Sequence, residues 1–274
     1  MPCHASMRSV RSALGAAAVA LLALAAGCAT VPPDAGRSPA DPLEKFNRQV
    51  DEFNYQLDRV ALKPAAKAYQ AVVPAPVRTC VTNFFGNIGD VPSAVNSLLQ
   101  GKVAEAATGA CRVVLNSTVG VLGCFDVART MGLPRASQDF GLTLGHWGAG
   151  PGAYIVLPLF GPSDVRDALG KAVDIEADPF GYVRPMHDVY IGDALRVVDT
   201  RANLLQASGI VEGVALDRYS FFRDAYLQRR RNLVYDGNPP PEKYDEDDSP
   251  DEPTPGSPPA KASTPDQPAP AVPR

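Results

Sequence analysis

Asn47 and Asn54 stand seven residues apart, each directly behind a phenylalanine, Phe46 and Phe53, in a stretch of helical periodicity. An amide carries both donors and an acceptor, and asparagine is a poor residue for a helix interior. Two uses are open: burial with the amide bonded to backbone, or a position facing a polar passage. Little else in the chain assembles into a reaction centre. Beyond the leader the histidines are His146 and His187, so a histidine-rich metal site is excluded and a Ser–His system lacks bases. Asp139-Phe140-Gly141 looks like the metal-binding tripeptide of kinases, but no glycine-rich loop, strand lysine or His-Arg-Asp loop accompanies it. Gly101-Lys102 lacks the flanking residues of a phosphate loop. With no nucleophile–base pair to build on, the sequence argues against an enzyme.

Phe140 to Ser163 contains no Asp, Glu, Lys or Arg, yet six glycines and three prolines interrupt it. A spanning helix needs ~20 apolar residues, and this run is long enough, but proline and glycine break the helix. Apolar, non-helical backbone survives at membrane depth only when covered by protein or lining a wet cavity. The segment is therefore either a buried core piece or an apolar-rimmed passage for a greasy ligand.

The ends of the chain are of a different kind. Arg8 and Arg11 precede an uncharged Ala/Leu run, Ala13 to Ala26, the layout of an export signal. Leu24-Ala25-Ala26-Gly27-Cys28 resembles the bacterial lipoprotein cleavage box, with Ala25 where leucine is commonest. Cleavage would leave Cys28 carrying diacylglycerol on sulfur and a third acyl chain on its amine, and no other cofactor is implied. Ala29, in place of aspartate, matches delivery to the outer membrane. The expected organisation is a signal peptide over 1–27, a lipidated tether over 28–40, a helical domain over 41–235 and a disordered acidic Pro-rich tail over 236–274. The tail holds nine acids against three bases, whereas Cys28 to Tyr235 holds 21 of each sign. With no basic excess in the folded part, nucleic acid is not an expected partner.

Within 41–235 the pattern is all-α. Asp41-Pro42-Leu43-Glu44 reads as a helix start, with Asp41 as the cap. Phe46, Val50, Phe53, Leu57 and Val60 form one stripe, ended by Pro64, and a short helix follows to Val72. Val77 to Asn87 predicts a helix ending at Gly86 and Gly89, and Val91, Ala94, Val95, Leu98 and Leu99 give a second with one apolar face. Val103 to Asn116 carries Ala107, Ala110, Cys111 and Val114 on one side. Ser163 is the expected cap of a helix to Val173, with Asp164 and Asp167 beside Arg166 reading as capping carboxylates. Asp188 to Leu205 and a last helix bearing Tyr219, Phe222, Tyr226 and Leu233 complete the domain. Tyr154 to Leu157 is the one strand-like piece, and no hairpin is expected. Cys80, Cys111 and Cys124 allow three pairings in an oxidising compartment. A turn at Gly120 and Gly123 favours Cys111–Cys124, and three buried thiols are the alternative.

The ordered blocks DPLEKFNRQVDEFNYQLD, NFFGNIGDV, RVVLNSTVG, QDFGLTLGHWGAGPGAYIVLPLFGPSDVRD and DRYSFFRDAYLQRR resemble the MlaA/VacJ family of outer-membrane lipoproteins from Asp41 to about Arg231. The resemblance implies an all-α, ring-shaped bundle of amphipathic helices around a central amphipathic channel. It implies residence in the periplasm-facing leaflet of the outer membrane, bound to a trimeric porin. The implied function is to draw misplaced phospholipid out of the outer leaflet and pass it to a periplasmic lipid carrier; a scaffold that moves nothing is the alternative. The channel and hinge candidates it suggests are Phe46, Asn47, Phe53, Asn54, Asn83, Phe84, Asn87, Asn116, Phe140, Gly141, Thr143 and Gly145. In that scheme Phe140 to Gly152 is a gating loop.

Overall fold

The last turn of the first helix does not stop at proline. In the computed structural model, which describes residues 40–214 and 217–241, α1 (Glu44–Leu57) runs through a single π-helical turn (Asp58–Leu62) into α2 (Lys63–Val72). Pro64 lies directly behind the π-helical turn, at the start of α2, and its fixed φ suits the helix that continues through it. Asp41 does not cap α1 either. It is wholly buried, and its carboxylate accepts from Asn47 Nδ2 at 2.8 Å and from the Tyr219 hydroxyl at 2.5 Å. The chain leaves the helix at Val73 and Pro74, and α3 (Ala75–Leu99) begins.

α3 is one helix of 25 residues, not two. Gly86 and Gly89 lie inside it. A side chain at Gly86 would fall 2.4 Å from Arg135 Nη1, so this glycine admits a guanidinium rather than ending a helix. α4 (Val103–Thr118) packs back along α3, followed by the short α5 (Val127–Thr130) and α6 (Phe140–His146). A small antiparallel hairpin follows, β1 (Tyr154–Leu157) and β2 (Gly161–Asp164), with Tyr154 opposite Asp164 and Leu157 opposite Gly161. Gly-Pro-Ser-Asp has no strand propensity, so β2 was invisible in the pattern. Leu159 and Gly161 take positive φ in the turn between the strands. Asp164, not Ser163, caps α7 (Val165–Ala177), accepting the Asp167 amide at 2.7 Å. A 3-10 turn at Pro179–Tyr182 leads to α8 (Met186–Asn203), α9 (Leu205–Val214) and α10 (Arg218–Val234). Among the described residues, no helix is long and apolar enough to cross a membrane.

The distribution of side chains is inverted relative to an ordinary globular domain. The buried face of α3 carries Asn87, Asp90, Ser93, Asn96 and Ser97, and that of α4 carries Arg112 and Asn116. The apolar face points outward: Val95, Leu98, Val114, Val119 and Phe125 are each more than half exposed. Ala107, Ala110 and Cys111 share that outer side. The compact apolar cluster is small, built from Val50, Tyr154, Val156 and Tyr219 with Tyr226 and Leu227 against it.

Cysteine pairing differs from the expectation. The disulfide joins Cys80 to Cys124, and Cys111 is unpaired and exposed, so Cys111–Cys124 does not form. Asn83, one turn beyond Cys80 on α3, donates to the Cys124 carbonyl at 3.0 Å and brings that cysteine to α3. Cys111 lies on the outer side of α4, away from it.

Candidate functional site

Asn47 and Asn54 hold the hairpin. Seven helical residues rise about 10 Å and three strand residues also about 10 Å, so amides seven apart on α1 match strand positions three apart. Asn47 donates to the Tyr154 carbonyl at 3.0 Å and accepts from the Val156 amide at 2.9 Å. Asn54 repeats the arrangement with the Leu157 carbonyl at 3.0 Å and the Leu159 amide at 2.8 Å. Each side chain acts as a short piece of neighbouring strand. Asn47 is fully buried and lines none of the cavities described below, whereas Asn54 borders one of them. Asn47→Ala leaves the buried Val156 N–H and the Tyr154 C=O each short of a partner. At ~1–3 kcal/mol for each unsatisfied group, the expected loss is about 2–6 kcal/mol. A urea-unfolding midpoint and the exchange rate of the Val156 amide check it.

Three adjoining cavities run between the helices. The largest, about 780 Å³, is walled by α3, α7, α8, α10 and the hairpin turn; a second, about 360 Å³, lies between α1, α9 and α10; a third, about 640 Å³, lies between α3 and α8. They share lining residues. Leu204, at the end of α8, borders all three, and Pro162 and Arg201 border the first two. Arg196, Val197, Thr200, Arg201 and Leu204 form one face of α8 at helical spacing, and this face looks into the largest cavity. Such a face, with two arginines and a threonine, reads in sequence as ordinary solvent exposure, which is why it was missed.

The walls are stiffened by ion pairs. Arg230 grips Asp139 with both carboxylate oxygens at 2.6 and 3.0 Å, and its Nε lies 2.5 Å from Asp167. The Tyr226 hydroxyl donates to Asp167 at 2.5 Å. Burial works against the Asp167 carboxylate, but Tyr226 and Arg230 outweigh it and hold its pKa below the usual range. Its neighbour Asp164 is buried with Oδ2 outside any hydrogen bond, and burial pushes its carboxyl up to about 6. Arg196 meets Asp178 at 2.6 Å, and Arg201 grips Asp58 at 2.5 and 2.8 Å. A second buried network lies between α3 and α4. Arg112 bonds Asp90 at 3.1 Å, Asp126 through both oxygens at 3.0 Å, and the Leu133 carbonyl at 2.8 Å.

The other sequence candidates fall in several places. Asn116 bonds Asp126 and the Ala128 amide, and Asn87 bonds Ser117 while its Oδ1 stays unpaired. Phe84 packs edge-on to Phe85, Phe46 is half exposed and Phe53 half buried. Phe140 to His146 is a helix, not a loop, with Gly141 and Thr143 buried within it. A Cβ on Gly141 would meet Asp167 at 2.5 Å, and one on Gly145 would meet Arg166 and Val234 at 2.8 Å, so both glycines serve close packing. Thr143 donates to Asn96 at 2.8 Å and accepts from Gln100 at 3.1 Å. Cys28, the signal segment, residues 28–39 of the tether and the tail beyond residue 241 lie outside the described residues.

The described residues thus combine exposed apolar faces on α3 and α4 with adjoining cavities whose walls carry paired charges. The MlaA lipoprotein family model matches residues 39–233, and the chain belongs to that family. The Escherichia coli intermembrane phospholipid transport system lipoprotein MlaA is 36% identical over 228 residues, covering 80% of this chain and 88% of that protein. An uncharacterized protein of Rickettsia bellii is 35% identical over 199 residues, 72% of this chain and 78% of its own length. A solved structure, from work on the structural basis for maintenance of bacterial outer membrane lipid asymmetry, superposes with a TM-score of 0.63 at 34% identity. The match covers 71% of this chain and 98% of that one.

Proposed function

We propose that this chain is the outer-membrane lipoprotein of a phospholipid transport system. It removes misplaced phospholipid from the outer leaflet through the passage beside Leu204 and hands it to a periplasmic carrier, preserving lipid asymmetry. It works without catalysis, bound to a trimeric porin. The observation that carries this reading is the inverted side-chain distribution. Apolar residues on the outer faces of α3 and α4 gain by contact with acyl chains, since an exposed apolar patch of this extent marks an interaction surface. The passage inside supplies polar walls for a headgroup. Acyl chains on Cys28 add attachment at ~0.8 kcal/mol per buried methylene, consistent with helices that lie in the interface rather than cross it.

The test is to narrow the passage where all three cavities meet. Leu204→Trp adds bulk at a half-exposed position, so the fold is expected to persist. Transfer of phospholipid from donor vesicles to a soluble acceptor is expected to fall to the level seen without the protein. A scaffold that moves nothing would be indifferent to the substitution, and unchanged outer-leaflet lipid content in cells carrying Leu204→Trp would reject the transport reading.

A further inference from the structure

The largest cavity has a charge pattern with a remainder. Of the cations on its wall, Arg230 is paired with Asp139 and Asp167, Arg196 with Asp178, and Arg201 with Asp58. Subtracting those pairs leaves one cation and one anion, Lys171 and Asp174, both on α7 and both lining the cavity. Among the described residues neither is in an ion pair. The Lys171 ammonium sits 5.3 Å above the Phe160 ring at the tip of the hairpin, and Asp174 accepts the Phe140 amide with both oxygens at 3.1 and 3.2 Å, with Asn96 as a further hydrogen-bond partner and Lys171 as the nearby cation. Residues three apart on a helix share a face with ~5–6 Å between their Cβ atoms.

We propose that Lys171 and Asp174 form a headgroup subsite for zwitterionic phospholipid, the ammonium of Lys171 taking the phosphate and the carboxylate of Asp174 taking the headgroup ammonium. The subsite rests on the transport reading above and names its substrate class. Every other lining charge is in at least one ion pair, Asp167 also with Arg166 and Arg201 with Asp58, both outside the wall, so the remaining pair matches a ligand carrying one charge of each sign. A phosphoglycerol headgroup, which offers no cation, leaves Asp174 facing a like charge. Burial already pushes the Asp174 carboxyl up, and an ammonium beside it relieves that cost. Phe160, under Lys171, holds the ammonium over the cavity through its ring face.

The experiment uses the full-length lipidated protein, wild type, Lys171→Gln and Asp174→Asn, equilibrated with vesicles of equal phosphatidylethanolamine and phosphatidylglycerol. Bound lipid is then measured by mass spectrometry. An exposed to half-buried charge contact of this kind is worth ~0.5–1 kcal/mol, a factor of about two to five. The wild type is expected to be enriched by that factor in phosphatidylethanolamine. Asp174→Asn is expected to abolish the enrichment while keeping the amount of lipid, and Lys171→Gln to lower the amount of both lipids. Lys171 is exposed, so its variant reports even if Asp174→Asn folds poorly. Bound phospholipid at the vesicle ratio, or variants with wild-type ratio and amount, would overturn the subsite and leave transport standing. A wild type with no bound phospholipid would remove both.

Discussion

Arg112→Leu is expected to be among the most destabilising single side-chain losses in the chain, about 3–5 kcal/mol, because it strips the cation from a buried cluster. Arg112 is 1% exposed and bridges Asp90 on α3, Asp126 at the start of α5 and the carbonyl of Leu133. Its removal leaves Asp90 with Arg135 alone, at 2.9 Å, and Asp126 with Arg135 at 4.0 Å. The two carboxylates respond differently in the intact protein. Burial holds the Asp90 pKa up despite both arginines, while Asp126, also opposed by burial, is brought below the usual range by Arg112 and Asn116. A depressed carboxyl contributes stability that is present above its unfolded pKa and lost as pH falls through the folded one. Wild-type protein therefore loses the Asp126 contribution on acidification. In Arg112→Leu the same carboxyl, now desolvated without its partner, shifts upward, and protonation relieves it. The gap between variant and wild type is thus expected to narrow as pH falls from neutral toward 4, read from urea midpoints at several pH values. Adding Asp90→Asn and Asp126→Asn to Arg112→Leu is expected to recover much of the loss at neutral pH, since the charges that needed the guanidinium are gone. A flat pH dependence with no recovery would mean that Arg112 acts by packing alone.

That cluster also marks the limit of what the sequence discloses. Helices were legible wherever an apolar face recurs every three or four residues, as along Glu44–Leu57 and Val103–Thr118. Periodicity reports that a helix has an oily side and a polar side, not which one is turned inward. On α4 the side bearing Ala107, Cys111 and Val114 faces out and the side bearing Arg112 and Asn116 faces in. The pattern is the same in either orientation; the surrounding medium decides. Local breakers misled for a related reason. Pro64 follows a π-helical turn through which the helix continues, and Gly86 is held in the middle of α3 by a guanidinium from a loop 49 positions away in sequence. β2 was unreadable because pairing with β1, which the amides of α1 hold in place, and not its own residues, makes it a strand. Asn47 and Asn54 were visible as oddities at a seven-residue spacing. Their partners, on a strand about a hundred residues later, were not.

The smallest chemical change with a large expected consequence is one methyl group, Gly170→Ala. α6 and α7 cross at Gly141 and Gly170, and a Cβ built on Gly170 would stand 2.4 Å from the Gly141 nitrogen and 2.6 Å from its Cα. Both obstacles are backbone, so no rotamer change makes room and the helices must separate. Overpacking of this kind costs ~1–3 kcal/mol, and more where main chain must move. Separation also pulls on bonds that depend on the close crossing. The Phe140 amide donates to Asp174 across it at 3.1 Å, and Arg230 reaches Asp139 at 2.6 Å beside it. With one or two of these weakened at ~1 kcal/mol each, the expected total is about 2–5 kcal/mol. Gly150→Ala provides the control: nothing lies within 4 Å of its added Cβ, and it is expected to be near neutral. The two variants separate packing from flexibility as the reason for glycine in this segment. If Phe140 to Gly152 worked chiefly as a hinge, Gly150→Ala would impair lipid transfer as much as Gly170→Ala. If the glycines are there to let α6 lie against α7, only Gly170→Ala lowers the unfolding midpoint. On the proposed transport role it then also lowers transfer in the folded fraction, because α7 carries Lys171 and Asp174 on the wall of the largest of the three cavities.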